Sequence, residues 1–270
     1  MLLSEVGYAR PSSVDEAVRL LAENEGARPL AGGQTIVNVM KARAAAPDVL
    51  VDLADLLELR TIAVTDGGGL ELGALVTYAD LITSAEVKEA RPIVAEVAEQ
   101  IADVQVRNRG TVGGNVCSND PTNHLPPVFV AAGAEMTILG ADGERTVPAE
   151  EFFLGVYMTA AGPGELLTRV VLPPAGQAGD GFNAVTIGAD GTCIVNAAAT
   201  VTGDEARVVL GCVAATPVLI TAKADEESVR EAVRGAELDP PSDVHGPAEY
   251  RRQLAEVVAS RAVAAAGERS

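Results

Sequence analysis

This sequence has no tryptophan, and aromatic residues make up only 3% of its 270 positions. Any core therefore has to be built from Ala, Val, Leu and Ile, and a hydrophobic content of 48% is enough for a substantial one. Positive charge is equally scarce. Twenty Lys and Arg face 38 Asp and Glu, only three of the cations are lysine, and the net charge is −18. Nucleic acid and anionic membranes are disfavoured as partners, because both need a basic face to release counterions. A phosphate group would have to be held mainly by backbone N–H groups and helix N-termini. The cysteines are few and scattered. Cys117, Cys193 and Cys212 make no CxxC spacing, which argues against an iron–sulfur or zinc site and a disulfide framework, and for a reducing compartment. No basic start leads into an apolar run, no stretch is long enough to span a bilayer, and no Asn-x-Ser/Thr acceptor occurs. The expected location is the cytoplasm, with no membrane contact.

Familiar catalytic motifs are missing too. There is no G-x-G-x-x-G, no Gly-Lys pair of the P-loop kind, no H-E-x-x-H, no G-x-S-x-G, and no close carboxylate pair with a clear role. The chemistry would have to come from a cofactor. Two glycine doublets are present instead. Leu30-Ala31-Gly32-Gly33-Gln34-Thr35 joins a strand to a helix, and Thr111-Val112-Gly113-Gly114-Asn115 follows much later. Small residues there would let backbone approach a ligand, and Thr, Gln and Asn can hydrogen-bond an anion without adding charge. Either doublet alone reads as well as a plain turn. Together they point to a large phosphate-bearing cofactor gripped at two places. Arg107 and Arg109 stand just before the second loop. Asp120 reads as an Asx-turn residue, His124 as a hydrogen-bonded loop histidine, and Cys117 as a small packing residue that a helix end or cation could make reactive.

The periodicity predicts a short strand and a helix in 1–26, opened by a Ser13/Glu16 capping box and stopped at Gly26. A strand at 28–30, a helix at 35–43 with Ile36, Val37, Val39 and Met40 inward, and a buried strand at 49–53 follow. A hairpin joins 61–65 to 70–74 across Asp66-Gly67-Gly68-Gly69. Helices start at Thr77/Asp80 and at Pro92, the second running to about 102. An apolar run covers 128–139, Asp142-Gly143 turns, and a strand spans 166–172. Residues 174–181 read as a linker. Beyond it come strands at 183–188, 193–202 and 206–214, then helices at 224–235 and 247–266. The last helix presents Leu254, Val257 and Val258, continued by Ala262 and Ala265. The class is α+β, with an N-terminal domain at 1–173 and a small C-terminal domain at 182–270, one antiparallel sheet plus helices.

These loops carry a resemblance. The sequence resembles the FAD-binding (medium) subunit of the molybdenum hydroxylases. The matching residues are Ala31-Gly32-Gly33-Gln34-Thr35 with Met40-Lys41, Arg107-Asn108-Arg109-Gly110-Thr111-Val112-Gly113-Gly114-Asn115, and Asp120-Pro121 with Leu125-Pro126. Tyr8-Ala9-Arg10-Pro11 and Gly164-Glu165-Leu166-Leu167 also fit, so the likeness spans nearly the whole chain. It implies a two-part FAD domain of the vanillyl-alcohol-oxidase type, divided here at about 1–55 and 56–173, and a small C-terminal domain. It also implies that 31–35 and 111–115 bind the FAD diphosphate. Asp120 and His124 would lie along the ribityl and adenine side, and Leu166 or Leu167 would approach the flavin ring through backbone. The implied partners are a small subunit with two iron–sulfur clusters and a molybdopterin-binding large subunit, with NAD, oxygen or another acceptor receiving the electrons. The sequence departs from the family at His124, a position commonly acidic, and at Ala184, Ile187-Gly188 and Gly191, where a Lys, an Arg and an Asp are usual. Three functions are weighed: an electron-transfer subunit, which is expected; a free-standing FAD-dependent oxidoreductase; and a flavin-fold scaffold that has lost redox function.

Overall fold

The computed structural model describes residues 3–188 and 191–270. Strands β1 (Gly7–Ala9), β2 (Ala27–Leu30) and β3 (Val49–Asp52) form a parallel sheet in the order β1-β3-β2, joined through helices α1 (Val14–Glu23) and α2 (Ile36–Lys41). The start of α1 differs from the expected capping box by one residue. Ser13 Oγ accepts Glu16 N, but the Glu16 carboxylate turns back to Ser12 N and Oγ at 2.7 and 2.8 Å. The helix stops at Glu23, ahead of Gly26, whose own role is a close approach: a Cβ there would stand 2.1 Å from Asp48 Oδ2. Helix α2 is shorter than 35–43, because Arg43 takes φ 62 and Ala44 N closes back on Val39 O. Of the four residues expected inward only Met40 is buried; Ile36, Val37 and Val39 are half-buried.

A five-stranded antiparallel sheet follows, in the order β4-β5-β10-β6-β7. Its strands are β4 (Ile62–Val64), β5 (Leu70–Gly73), β6 (Glu135–Gly140), β7 (Gly143–Pro148) and β10 (Leu166–Leu172). Between β5 and β6 lie α3 (Tyr78–Thr83), α4 (Ala85–Ala90), α5 (Pro92–Glu99), α6 (Val104–Arg107), α7 (Val112–Ser118) and α8 (Leu125–Ala131). Between β7 and β10 lie α9 (Ala149–Phe152) and a small hairpin of β8 (Phe153–Gly155) and β9 (Met158–Thr159). The β4–β5 hairpin and the complete Thr77/Asp80 capping box form as expected. Helix α5 ends at Glu99 rather than 102. The apolar run 128–139 is two elements, α8 and β6, divided by Gly133 at φ 67, where only a residue without Cβ turns cheaply.

The last part is an antiparallel meander of β11 (Gly179–Ile187), β12 (Thr192–Thr202), β13 (Glu205–Gly211) and β14 (Val218–Lys223), covered by α10 (Glu226–Gly235) and α11 (Ala248–Gly267). The expected linker is cut short by β11. Gly179 and Gly181 pair with Val201 and Ala199, and a Cβ on either would lie 2.0 Å from a carbonyl of α11, at Ala266 and Ala262. Glycine thus lets the helix rest directly on the strand. The same contact moves the buried face of α11 to Ala255, Val258, Ala259, Ala262, Val263 and Ala266, leaving Leu254, Val257 and Ala265 half-buried. Strand β14 was not expected from the sequence.

One apolar core crosses from the first part to the last: Ala198 and Val209 pack with residues of α5, α8 and β6. The buried Arg91 joins them as well. Its Nη2 reaches Asp180 Oδ1 at 2.8 Å and its Nη1 the Pro173 carbonyl at 2.9 Å, while Thr200 donates to the same Asp180 oxygen.

Candidate cofactor site

The two glycine loops meet. The first leaves β2 at Leu30, whose carbonyl accepts Leu53 N, and turns through Gly33 at φ 73 into α2. A Cβ on Gly32 would stand 1.8 Å from Arg109 O, so the first loop lies directly on the backbone that leads into the second. A Cβ on Gly114 would come within 3.9 Å of Ala31 Cβ. Ala31 in turn packs on the cluster that holds Leu75 and Leu166. The segments 31–35, 109–114 and the start of β10 are therefore brought together. Leu166 and Leu167 enter different core clusters. Pairing of β10 with β5 begins only at Arg169, so their backbone has β6 on one side and no β5 partner on the other.

The loops differ in what their amides do. In the second, Val112 N donates to Val76 O, Gly113 N to Ala74 O, Gly114 N to Thr111 Oγ1 and Asn115 N to Thr111 O, all within 3.0 Å. Two of its glycines have packing reasons: a Cβ would meet the Tyr78 ring at 2.5 Å from Gly110 and Ala74 Cβ at 2.7 Å from Gly113. In the first loop, the amides of Gly32, Gly33, Gln34 and Thr35 meet no acceptor among the described residues. A row of unengaged donors in an acidic chain suits a diphosphate, which needs N–H groups more than it needs lysines. Arg107 is committed to the carbonyls of Ile101 and Ala102, whereas Arg109 is exposed beside both loops. The carbonyls of Ala74 and Val76 and the ring of Tyr78 are parts of the site that sequence reasoning missed. A carbonyl acceptor leaves no mark in side-chain identity.

Behind the loops, Asn115 Nδ2 donates to Tyr78 Oη at 2.8 Å, and Asn115 Oδ1 is buried without a partner among the described residues. Burial pushes the Tyr78 hydroxyl up to about 12, so it stays neutral. Tyr78→Phe leaves both polar atoms of Asn115 unsatisfied, and should lower stability by about 1–3 kcal/mol in a urea titration.

Asp120 and His124 lie past the far end of α7. Thr122 N and Oγ1 both donate to Asp120 Oδ1, at 2.9 and 2.7 Å, which is the expected Asx turn, and Tyr157 Oη donates to its other oxygen. His124 is only 5% exposed, with its ring 5.4 Å from that of Phe182 on β11. Its Nε2 finds no partner among the described residues, and burial lowers its pKa from 6.5 to about 4. An unfolded histidine titrates near 6.5, so between that pH and about 4 the unfolded chain binds a proton that the folded chain refuses. Stability therefore falls as pH falls through this window, by about 3 kcal/mol. His124→Leu should flatten the urea-midpoint curve between pH 6.5 and 4; parallel curves for the two proteins would sink the assignment. Cys117 is half-buried on α7, and desolvation pushes its thiol up to about 12, in keeping with a packing residue. Ala184 stands opposite Asn196 in the β11–β12 ladder, and Gly191 turns into β12 at φ 70.

Known proteins share this arrangement. Residues 4–175 match the FAD binding domain in molybdopterin dehydrogenase, and residues 181–266 the CO dehydrogenase flavoprotein C-terminal domain. The carbon monoxide dehydrogenase medium chain of Afipia carboxidovorans is 38% identical over 288 residues, covering 100% of this chain and 99% of that one. The nicotine 6-hydroxylase medium subunit of Paenarthrobacter nicotinovorans is 30% identical over 100% of both chains. A chain of reconstituted CO dehydrogenase from Oligotropha carboxidovorans superimposes with a TM-score of 0.94 at 36% identity, covering 100% of both. No helix among the described residues is long and apolar enough to cross a membrane. With its two joined glycine loops, its antiparallel C-terminal meander and these full-length relatives, the chain belongs to the FAD-binding medium subunits of the molybdenum hydroxylases, a family of oxidoreductases.

Proposed function

We propose that this chain is the electron-transfer subunit of a molybdenum hydroxylase. It takes electrons from two iron–sulfur clusters on a small partner subunit, itself supplied by a molybdopterin-binding large subunit, and passes them to an external acceptor such as NAD or oxygen. The observation that carries this reading is the run of unengaged amides from Gly32 to Thr35, held against the Arg109 backbone at the mouth of the second loop. Bound FAD supplies one- and two-electron chemistry that no side chain here offers. The chain's own residues bind and orient it. The first loop donates N–H groups to the diphosphate. Thr111, whose oxygen already accepts Gly114 N, keeps its hydroxyl proton free to donate, whereas the Asn115 amide nitrogen is spent on Tyr78 Oη and holds the loop from behind. Asp120 and His124 fall on the ribityl and adenine side, and Leu166 and Leu167, buried and unpaired with β5, approach the ring through backbone. Leu154, Val156, Tyr157 and Met158 stand exposed on the β8–β9 hairpin, an apolar surface that supports a partner-bound state.

The test is a visible spectrum of the purified chain before and after adding FAD, with release of any bound flavin, followed by addition of a reduced two-cluster partner. The expected result is a flavin spectrum that the reduced partner bleaches and isolated organic substrates do not. Bleaching by a substrate alone would favour a free-standing oxidoreductase. No flavin after reconstitution would leave only a scaffold.

A further inference from the structure

Two cysteines far apart in the sequence are neighbours in the fold. Cys193 lies at the start of β12, and Cys212 directly follows β13, the adjacent strand. Their sulfurs are 3.5 Å apart, and both residues are buried. Asn196, fully buried on β12, aims its Nδ2 at both sulfurs, at 3.3 and 3.7 Å. Cys212 holds φ 65, a left-handed conformation unfavourable for a residue with a Cβ. On α11, the buried Arg251 bonds through Nη1 to the Ile194 carbonyl at 2.7 Å and through Nη2 to both carboxylate oxygens of Asp243 at 2.8 Å. A cavity of about 10 Å³, about the space of a single water, borders Cys212 together with Asp120, Pro121, Pro127 and Pro217. Neither cysteine belongs to the two glycine loops.

We propose that Cys193 and Cys212 form a peroxide-reactive dithiol site that closes reversibly to a disulfide. The division of labour follows from the surroundings. The hydrogen bond from Cys212 lowers the Cys193 thiol below its ordinary value, aided by Asn196 and Arg251, while the same bond and burial raise Cys212. Asn196 Nδ2 also stands nearer the Cys193 sulfur, at 3.3 against 3.7 Å, and on that geometry Cys193 is the nucleophile and Cys212 the resolving thiol. The Cys193 thiolate attacks one oxygen of hydrogen peroxide, the O–O bond breaks, and hydroxide leaves, giving a sulfenic acid. The Cys212 sulfur then attacks the Cys193 sulfur, the S–O bond breaks, and the departing hydroxide takes the Cys212 proton. Two thiols and one peroxide become one disulfide and two waters; sulfur loses two electrons and peroxide gains them. Closure brings the sulfurs from 3.5 Å to about 2.05 Å. Dithiols reopen the bond by thiol–disulfide exchange.

The test uses the full-length chain loaded with FAD and treated with a small molar excess of hydrogen peroxide. Intact mass should fall by two hydrogens, and a Cys193–Cys212 cross-linked peptide should appear and vanish with dithiothreitol. Cys117 should stay alkylatable after unfolding. Cys212→Gly, which suits the left-handed backbone, should instead gain one oxygen that dimedone captures at Cys193. Cys193→Ser should do neither. Two thiols that both remain alkylatable, or a Cys193 driven to sulfinic acid in the unaltered chain, would overturn the site.

Discussion

Gly32→Ala is expected to weaken FAD binding by about 10- to 100-fold while leaving the fold intact. The added Cβ would stand 1.8 Å from Arg109 O and 2.6 Å from its carbonyl carbon. Both are backbone atoms, so no rotamer change relieves the clash. The two loops must part, and overpacking of this kind costs about 1–3 kcal/mol. That strain falls on the binding-competent arrangement of the loops, so the FAD dissociation constant rises by about 10- to 100-fold, about 1.4 kcal/mol being a factor of ten. A flavin-fluorescence titration reads the affinity, and a circular dichroism melt separates it from global unfolding. Gly67→Ala is the control, because a Cβ there meets nothing within 4 Å. Gly114→Ala should be milder, its nearest contact being the Thr111 hydroxyl at 2.9 Å. An unchanged FAD affinity in Gly32→Ala would remove the first loop from the site.

Arg91→Met should be among the most destabilising single substitutions in the chain. The guanidinium is 2% exposed and the Asp180 carboxylate 10% exposed. Removing the cation leaves a buried carboxylate whose one remaining side-chain donor among the described residues is the Thr200 hydroxyl. Breaking a buried pair by deleting one partner costs about 3–5 kcal/mol, because the surviving charge has lost its compensation. Replacing both partners by apolar residues, as in Arg91→Met with Asp180→Leu, should recover much of that loss. Guanidinium titrations of the three proteins check it. Equal stability of Arg91→Met and the unaltered chain would mean that the pair does not help join the β11 sheet to the N-terminal helices.

Much of this was legible in local chemistry. The alternation across Asp66-Gly67-Gly68-Gly69, the Thr77/Asp80 capping box and the strand at 166–172 all rest on near neighbours in sequence, and all form. The class and the family were legible for a related reason. A backbone that must turn tightly at Gly33 and approach another chain segment at Gly32 tolerates few substitutions, so the motif is written in residue identity. Where the reading failed, a distant element had the deciding vote. The apolar run 128–139 carries no period that separates a buried helix from a buried strand, and Gly133 alone divides α8 from β6. Gly179 and Gly181 read as linker residues, because glycine in a strand is recognisable only once the helix lying against it is known.

By itself, the sequence determined the composition of the core, the scarcity of positive charge, the two glycine loops and the family they mark. These depend on residue type and short spacing. Tertiary structure alone decided that the loops touch, that the first keeps free amides while the second engages its own, and that His124 is shut in against Phe182. It also decided that Cys193 and Cys212 stand sulfur to sulfur. Each of these is a meeting of residues far apart in the chain, settled by which strands pair and how closely helices approach them. No local pattern encodes that geometry.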